Sequence, residues 1–330
     1  FSGEKASLAK LSHFIELHEE KDAHGYFKDD ELLSFDSYYN GLMESNYKFN
    51  QDFERLIDYT KDVNEELQDK KIKERLRGLL ISGILIALKN DRFKAEYKNY
   101  RTTRDLVSNL YNAITAELQG SDVPEKNKQQ LIKGYEFITT NSSINTPTAE
   151  GKQYLTGLIT NCNERINGFM VTHKYIDTVS QFYVEFLRYA NNDKGLGIVL
   201  TPPHITELFC ELAEINKDSV VIDNCAGTGG FLVSAMKRML EDANGDIAKE
   251  EHIKKQQLVG IEYDDEIYTL LISNMIVHRD GKTNATHGSC FDVDTEQIKN
   301  KFHPTVGLLN PPYKNKGKGI EELEFVLNNL

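Results

Sequence analysis

Asp218-Ser219-Val220-Val221-Ile222-Asp223-Asn224-Cys225-Ala226-Gly227-Thr228-Gly229-Gly230-Phe231 is the stretch whose reading decides the fold. Its first half is a short apolar run that closes on an acid, the pattern of a strand covered on both faces. Its second half is small and glycine-rich, where the backbone can take positive φ and pass close under a ligand. Apolar residues return at helical spacing from Phe231 to Leu240. A lone Gly-x-Gly most often marks an ordinary tight turn. Lying between a strand and a helix, it becomes a candidate ligand loop built on Asp223, Ala226, Gly227 and Gly229.

The pattern repeats downstream. Gln257-Leu-Val-Gly-Ile-Glu262 is a second apolar strand ending at an acid, and a helix is predicted over 266–278. Glu262 at such a strand end can accept both ribose hydroxyls of an adenosine cofactor; the competing reading is a solvated strand-end acid. The spacing from Asp223 exceeds the ~20 residues usual in dinucleotide folds. The polar segment Glu241 to Gln256, turning at Asn244-Gly245, reads as a surface excursion that accounts for the excess. Ala285 to Gly288 is a short third edge, and Thr305-Val-Gly-Leu-Leu309 a fourth strand. Alternating strands and helices with continuous apolar strands predict a parallel sheet with helices on both faces, its ligands at the carboxyl ends of the strands.

That edge also holds Asn310-Pro311-Pro312-Tyr313. Two prolines after a buried strand impose a rigid, extended turn. Such a turn fixes the Asn310 carboxamide oxygen and the Pro311 carbonyl as two acceptors aimed into one pocket. Two fixed acceptors suit a planar amino group: they take its hydrogens and leave the nitrogen lone pair to attack a methyl. Tyr313 adds an aromatic face for a base taken out of a duplex. The bland alternative is a proline-capped strand end. Lys314, Lys316 and Lys318 follow, alternating with Asn315, Gly317 and Gly319. They read either as a loop for backbone phosphates or as a solvated charge run.

Upstream, residues 1–172 read as a helical domain and 173–330 as the α/β unit. Leu8, Leu11, Phe14, Ile15 and Leu17 recur at helical spacing, as do Phe53, Leu56, Ile57 and Tyr59. Residues 72–97 read as one central helix, apolar in the middle and charged at both ends. Turns are signalled by Gly25, Asn40-Gly41, Gly120-Ser121-Asp122 with Pro124, and the polar stretch 139–151.

Composition bounds the rest. The longest apolar stretch, Leu79 to Leu88, is too short for a bilayer, and no signal peptide is visible. Cys162, Cys210, Cys225 and Cys290 lack paired spacing, which argues against disulfides or zinc and fits a reducing cytoplasm. His204, His278, His287 and His303 show no ligand spacing and read as surface or capping residues, so no metal is expected. With 39 Lys and Arg against 51 Asp and Glu, the net charge is −12. That charge opposes unaided binding to DNA, where neutralised phosphates supply much of the affinity.

Over residues 177–330 the chain resembles the N6-adenine DNA methyltransferases whose cofactor motif precedes the catalytic one. Within them it is similar to modification subunits of type I restriction–modification systems and to related fused enzymes. The resemblance rests on the loop 223–230, on Gly260-Ile-Glu-Tyr-Asp264, on the turn 310–313, and on Leu200-Thr-Pro-Pro-His204 ahead of the loop. A helix over 177–187 with Tyr183 and Glu185 also fits, as does a helical amino-terminal domain. It implies a Rossmann-like sheet binding S-adenosylmethionine, with Thr201 and Pro202 at the methionine end of the cofactor. It also implies methyl transfer to a flipped adenine in double-stranded DNA. The implied partners are a specificity subunit or target-recognition domain and a restriction subunit or fused nuclease, with no membrane.

The chain departs from the pattern at three places. Asn224 stands for a proline, Cys225-Ala226 reverses the usual order, and Gly288-Ser289-Cys290-Phe291-Asp292 lacks the usual Gly-Asp. Ser289 is the expected adenine contact, with Asp292 as alternative. About four strands are legible, fewer than such a sheet normally has, so the 330 residues alone are expected to methylate DNA little or not at all. Two other readings share the turn: a protein glutamine methyltransferase, favoured by the acidic charge, and a non-catalytic module that binds cofactor or partners.

Overall fold

The structure, a computed structural model, describes residues 46–121, 123, 125–173, 201–278, 284–312 and 322–329. The helices predicted over residues 8–17 and 177–187 lie outside this set.

Helix α1 (Asn46–Asp69) buries Leu56 and Tyr59 of the predicted set, leaves Phe53 and Ile57 half-buried, and adds Val63 and Leu67 to the core. Helix α2 (Glu74–Ala87) is buried continuously from Arg77 to Ala87, as an apolar sequence on all sides requires. The single helix expected over 72–97 is in fact two. The Asn90 side chain accepts the Phe93 N–H at 3.1 Å and starts the short helix α3 (Asp91–Glu96). An asparagine cap inside an apolar and charged run competes with helix continuation. Helix α4 (Thr103–Gly120) opens on a reciprocal capping box between Thr102 and Asp105. After α5 (Glu125–Gly134) and α6 (Phe137–Thr140), Thr148 caps α7 (Ala149–Asn161). The helix then widens into a π turn over Cys162–Asn167 and ends in α8 (Gly168–Thr172).

The second unit runs α9 (Pro203–Leu212), β1 (Val221–Asp223), α10 (Gly230–Ala243), α11 (Ile247–Gln256), β2 (Leu258–Glu262) and α12 (Asp265–Val277). It continues through β3 (Asn284–His287), α13 (Thr295–Phe302), β4 (Val306–Leu308) and α14 (Glu322–Asn329). The described strands form one parallel sheet in the order β3-β2-β1-β4. The polar excursion after α10 turns at Asn244, in left-handed conformation, and is itself a helix: Asp246 caps α11 and Ile253 anchors it in the core.

Residues alternate across the sheet as a two-sided core demands. Val221 and Leu258 face α10 and α12, while Ile222, Val259 and Ile261 pack with Ile298 of α13 and Phe325 of α14. Asn224 secures that second face by donating to the Phe325 carbonyl and the Asn328 Oδ1, both at 2.9 Å.

Helix α12 has buried residues all round because it lies between the sheet and the helical unit. Helices α2 and α12 run in the same direction. Arg75 pairs with Glu266 at 3.0 Å near their amino ends, and at their carboxyl ends the Lys89 ammonium donates to the carbonyls of Ile276 and Val277. Between these points the Tyr135 hydroxyl bridges Ser82 Oγ (3.1 Å) and Ser273 Oγ (2.5 Å), and Asn127 donates to Tyr268 Oη (2.9 Å). His278 takes the position after α12 but is buried, not on the surface. Burial, then the Lys89 charge, lower its pKa to about 4, so it packs as a neutral ring.

Tyr135→Phe leaves two buried serine hydroxyls without their bridging partner, at a cost of about 1–3 kcal/mol. Urea denaturation of the variant should show its midpoint shifted down with an unchanged slope.

Candidate cofactor and amino-group site

The parallel register brings four strand ends to one edge. The loop after Asp223, the carboxylate of Glu262, the turn at Gly288-Ser289 and Asn310 all lie there. The sequence reading anticipated this convergence.

Glu262 is half-buried and its carboxylate is fixed. One oxygen accepts the Gly227 N–H at 2.9 Å, and the other accepts the Asp264 N–H at 2.8 Å. The strand-end acid therefore straps the glycine loop to the end of β2. Burial raises its pKa, while these backbone donors pull the other way. Gly227 sits at φ 54°, the conformation glycine takes at least cost. Ala226 is buried and spends its N–H on the Ile261 carbonyl at 2.9 Å, so its contribution to a pocket is limited to shape.

Gly229 sits at φ 92°, in the left-handed region that favours glycine. A Cβ there would be strained by that φ and would also displace the tip of Leu271, 2.7 Å away on α12. Gly260, in the middle of β2, is a requirement that sequence reasoning missed. A side chain there would press on Leu232 at 3.0 Å and on Ala226 at 3.3 Å.

Asp223 is fully buried beneath the loop, accepting the Cys225 N–H at 3.0 Å. Desolvation, reinforced by the Glu262 charge, pushes its pKa up to about 8.

The amide of Asn310 donates to Thr201 Oγ1 at 2.9 Å. The Thr-Pro segment and the Asn310 turn are thereby joined, and the carboxamide is oriented with its oxygen on the side away from Thr201. Pro202 precedes α9 as its cap residue and is exposed. Pro311 is half-buried and Pro312 exposed. Tyr313, Lys314, Lys316 and Lys318 lie outside the described residues.

Ser289 is half-buried, and its hydroxyl accepts the Phe291 N–H at 3.3 Å; Asp292 is exposed. Two aromatic side chains that the motifs did not single out flank this edge. Tyr263, directly after Glu262, is 71% exposed, and Phe291 is 37% exposed with its ring against Phe325. A large aromatic left in water beside a fixed carboxylate is a usable signal.

Of the remaining histidines, His303 takes the expected capping place after α13, and His204 is exposed. His287 at the end of β3 meets the Tyr263 carbonyl at 3.0 Å and the Asp265 carboxylate at 3.2 Å, pinning the turn after β2.

Sheet order, glycine loop, strand-end acid and proline-stiffened Asn turn define the class of the Rossmann-like methyltransferase domain. Over residues 174–326 the chain matches the family model described as N-6 DNA Methylase. It is 32% identical, over 282 residues, to the type II restriction enzyme and methyltransferase RM.BcgI of Heyndrickxia coagulans. That match covers 82% of this chain and 44% of the relative, so the chain spans under half of RM.BcgI. A solved structure on complex assembly and conformational transition of the type I R-M system shares the fold. It has 17% identity and a TM-score of 0.53 over 85% of this chain and 61% of that one. The type I restriction–modification methyltransferase subunit from Streptococcus thermophilus aligns over 83% of this chain and 70% of its own, with 13% identity and a TM-score of 0.49.

Because Asp223 binds its proton more tightly folded than unfolded, it destabilises the fold progressively as pH rises from about 4 to about 8. Asp223→Asn removes that contribution. Denaturation at pH 5 and pH 8 should show the variant losing less stability than the wild type across the interval.

Gly229→Ala forces a methyl into Leu271 at positive φ. We expect a loss of about 1–3 kcal/mol, measured as a lower thermal midpoint.

Proposed function

We propose that this chain supplies the cofactor-binding and catalytic half of a DNA methyltransferase acting on the 6-amino group of a flipped adenine within a restriction–modification system. The observation that carries the reading is the convergence of Glu262, the Gly227 loop and the Thr201–Asn310 pair on one sheet edge.

The residues fit S-adenosylmethionine. The Glu262 carboxylate, already aimed by two N–H groups, has capacity for ribose hydroxyls, since an ionised carboxylate accepts up to about four hydrogen bonds. Tyr263 and Phe291 offer apolar faces to an adenine ring, and Ser289 a hydroxyl to its amino group. Thr201 and Pro202 lie toward the methionine end. When bound, the cofactor supplies an electrophilic methyl on a positive sulfonium.

At the target, Asn310 Oδ1 and the Pro311 carbonyl accept the two hydrogens of the adenine amino group, and Tyr313 stacks on the base. Holding the amine in line leaves its lone pair facing the methyl, and positioning of this kind accounts for much of the barrier reduction. Lys314, Lys316 and Lys318 contact phosphates beside the pocket. The net charge of −12 leaves most DNA affinity to partners: a specificity subunit or target-recognition domain, with a restriction subunit or fused nuclease.

In the full-length protein, Asn310→Ala should slow methyl transfer to unmodified duplex DNA by about 100-fold or more, with a much smaller change in cofactor affinity. Glu262→Ala should weaken S-adenosylmethionine binding by roughly 10-fold to 100-fold in titration calorimetry. Equal affinities would remove the ribose assignment, and methyl transfer at the wild-type rate by Asn310→Ala would remove the amino-group assignment.

A further inference from the structure

His287 reads from the sequence as a surface or capping residue, and the fold gives it more partners than either role uses. Strands β2 and β3 pair with Glu262 opposite His287, so the histidine stands beside the acid at the ligand edge. Its ring packs against Tyr268, 5.0 Å between centroids. Its Nε2 lies 3.0 Å from the Tyr263 carbonyl and 3.2 Å from the Asp265 carboxylate. A carbonyl only accepts, so Nε2 carries the hydrogen, and the carboxylate shares it.

The Tyr263–Asp264 peptide is thereby held at both ends. Its carbonyl takes the His287 hydrogen, and its N–H, the Asp264 amide, donates to Glu262 Oε1 at 2.8 Å. A peptide unit is planar, so the two bonds fix one rigid plate. The plate cannot turn without giving up one of them. The other oxygen of Glu262 is aimed by the Gly227 N–H at 2.9 Å. His287 is thus linked to the carboxylate through the atoms of a single peptide.

The histidine is itself held from the helical unit. The Asp265 oxygen that meets His287 also accepts the Gln130 amide of α5 at 2.5 Å. Asn127 of the same helix donates to Tyr268 Oη, which in turn donates to the Ala285 carbonyl of β3 at 3.2 Å. Both the ring and the Nε2 of His287 therefore rest on groups that α5 fixes.

We infer that His287 is a positioning residue of the cofactor site, holding the Tyr263–Asp264 peptide in the orientation that aims Glu262. The effect on affinity rests on the proposed reading of Glu262 as the ribose acceptor; the support of the peptide does not. Without the histidine donor the peptide is fastened at one end only. It then turns about that bond, and the carboxylate loses the fixed direction that spares it reorganisation on binding.

The test compares His287→Phe, which keeps an aromatic ring against Tyr268 but has no donor, with His287→Gln, which keeps an N–H of similar reach. Both are made in the full-length protein, alone and with Glu262→Ala. Amide exchange over residues 262–266, followed by mass spectrometry, should quicken in His287→Phe and return toward wild type in His287→Gln, with β1 and α10 unchanged. In titration calorimetry S-adenosylmethionine and S-adenosylhomocysteine should both bind His287→Phe about fivefold more weakly, and His287→Gln should recover most of that loss. In the Glu262→Ala background His287→Phe should cost no more than about a further twofold, because residues acting through one contact are not additive.

Unchanged exchange over 262–266, an equal loss in His287→Phe and His287→Gln, or a loss as large in the Glu262→Ala background would overturn the inference. Faster exchange throughout β1 and α10 would overturn it too, assigning His287 to the stability of the sheet. A wild-type protein that binds neither cofactor, while His287→Phe still quickens exchange over 262–266 alone, would instead overturn the ribose reading and leave the support of the peptide standing.

Discussion

The carboxylate of Glu262 is held by two backbone N–H groups, one from its own turn and one from the loop that follows a different strand. The bond to Gly227 costs the side chain much of its freedom and gives the loop its position. It forms only because β1 and β2 are parallel and in register, Asp223 beside Gly260, so that the loop and the acid emerge at the same height. Burying an acid near a second buried acid is unfavourable, and the raised pKa values of Asp223 and Glu262 record it. The loop amides offset part of that cost. A carboxylate aimed by the backbone needs little reorganisation to receive a further donor.

The strands were legible because each is a short apolar run with an acid or proline at its end, a pattern set by local chemistry. The convergence of their ends followed from the parallel arrangement alone. What escaped the sequence depends on contacts between distant residues. Gly229 looks like a ligand-approach glycine, and only the fold shows that it also lies against the tip of Leu271 on α12. The Thr201–Asn310 pair joins two motifs that the sequence presents as independent. The break between α2 and α3 was hidden for the opposite reason. Asn90 acts locally, but charged and apolar residues on both sides keep the helical period running through it. Tyr263 passed unnoticed because an aromatic after a strand reads as core until its exposure is known.

Charge is distributed by the same logic. Acids gather where helices begin, Asp264, Asp265 and Glu266 on α12 and Asp294 and Glu296 on α13. Lys254, Lys255, Lys299 and Lys301 sit where α11 and α13 end. This follows the helix dipole, and it makes the β2–β3 side of the ligand edge electronegative. Such a rim favours cations and repels anions.

The placing of α12 also bears on how the molecule can be divided. A sheet helix usually turns a polar face to water; this one has none, and its outer side chains are covered by α2 and the Tyr135 hydroxyl bridge. Cutting the chain between the helical and α/β units would leave a greasy helix bare, and the severed half would tend to self-associate. The helical unit is thus a cover for the core of the α/β unit, and any exchange of such halves must carry a matching α2.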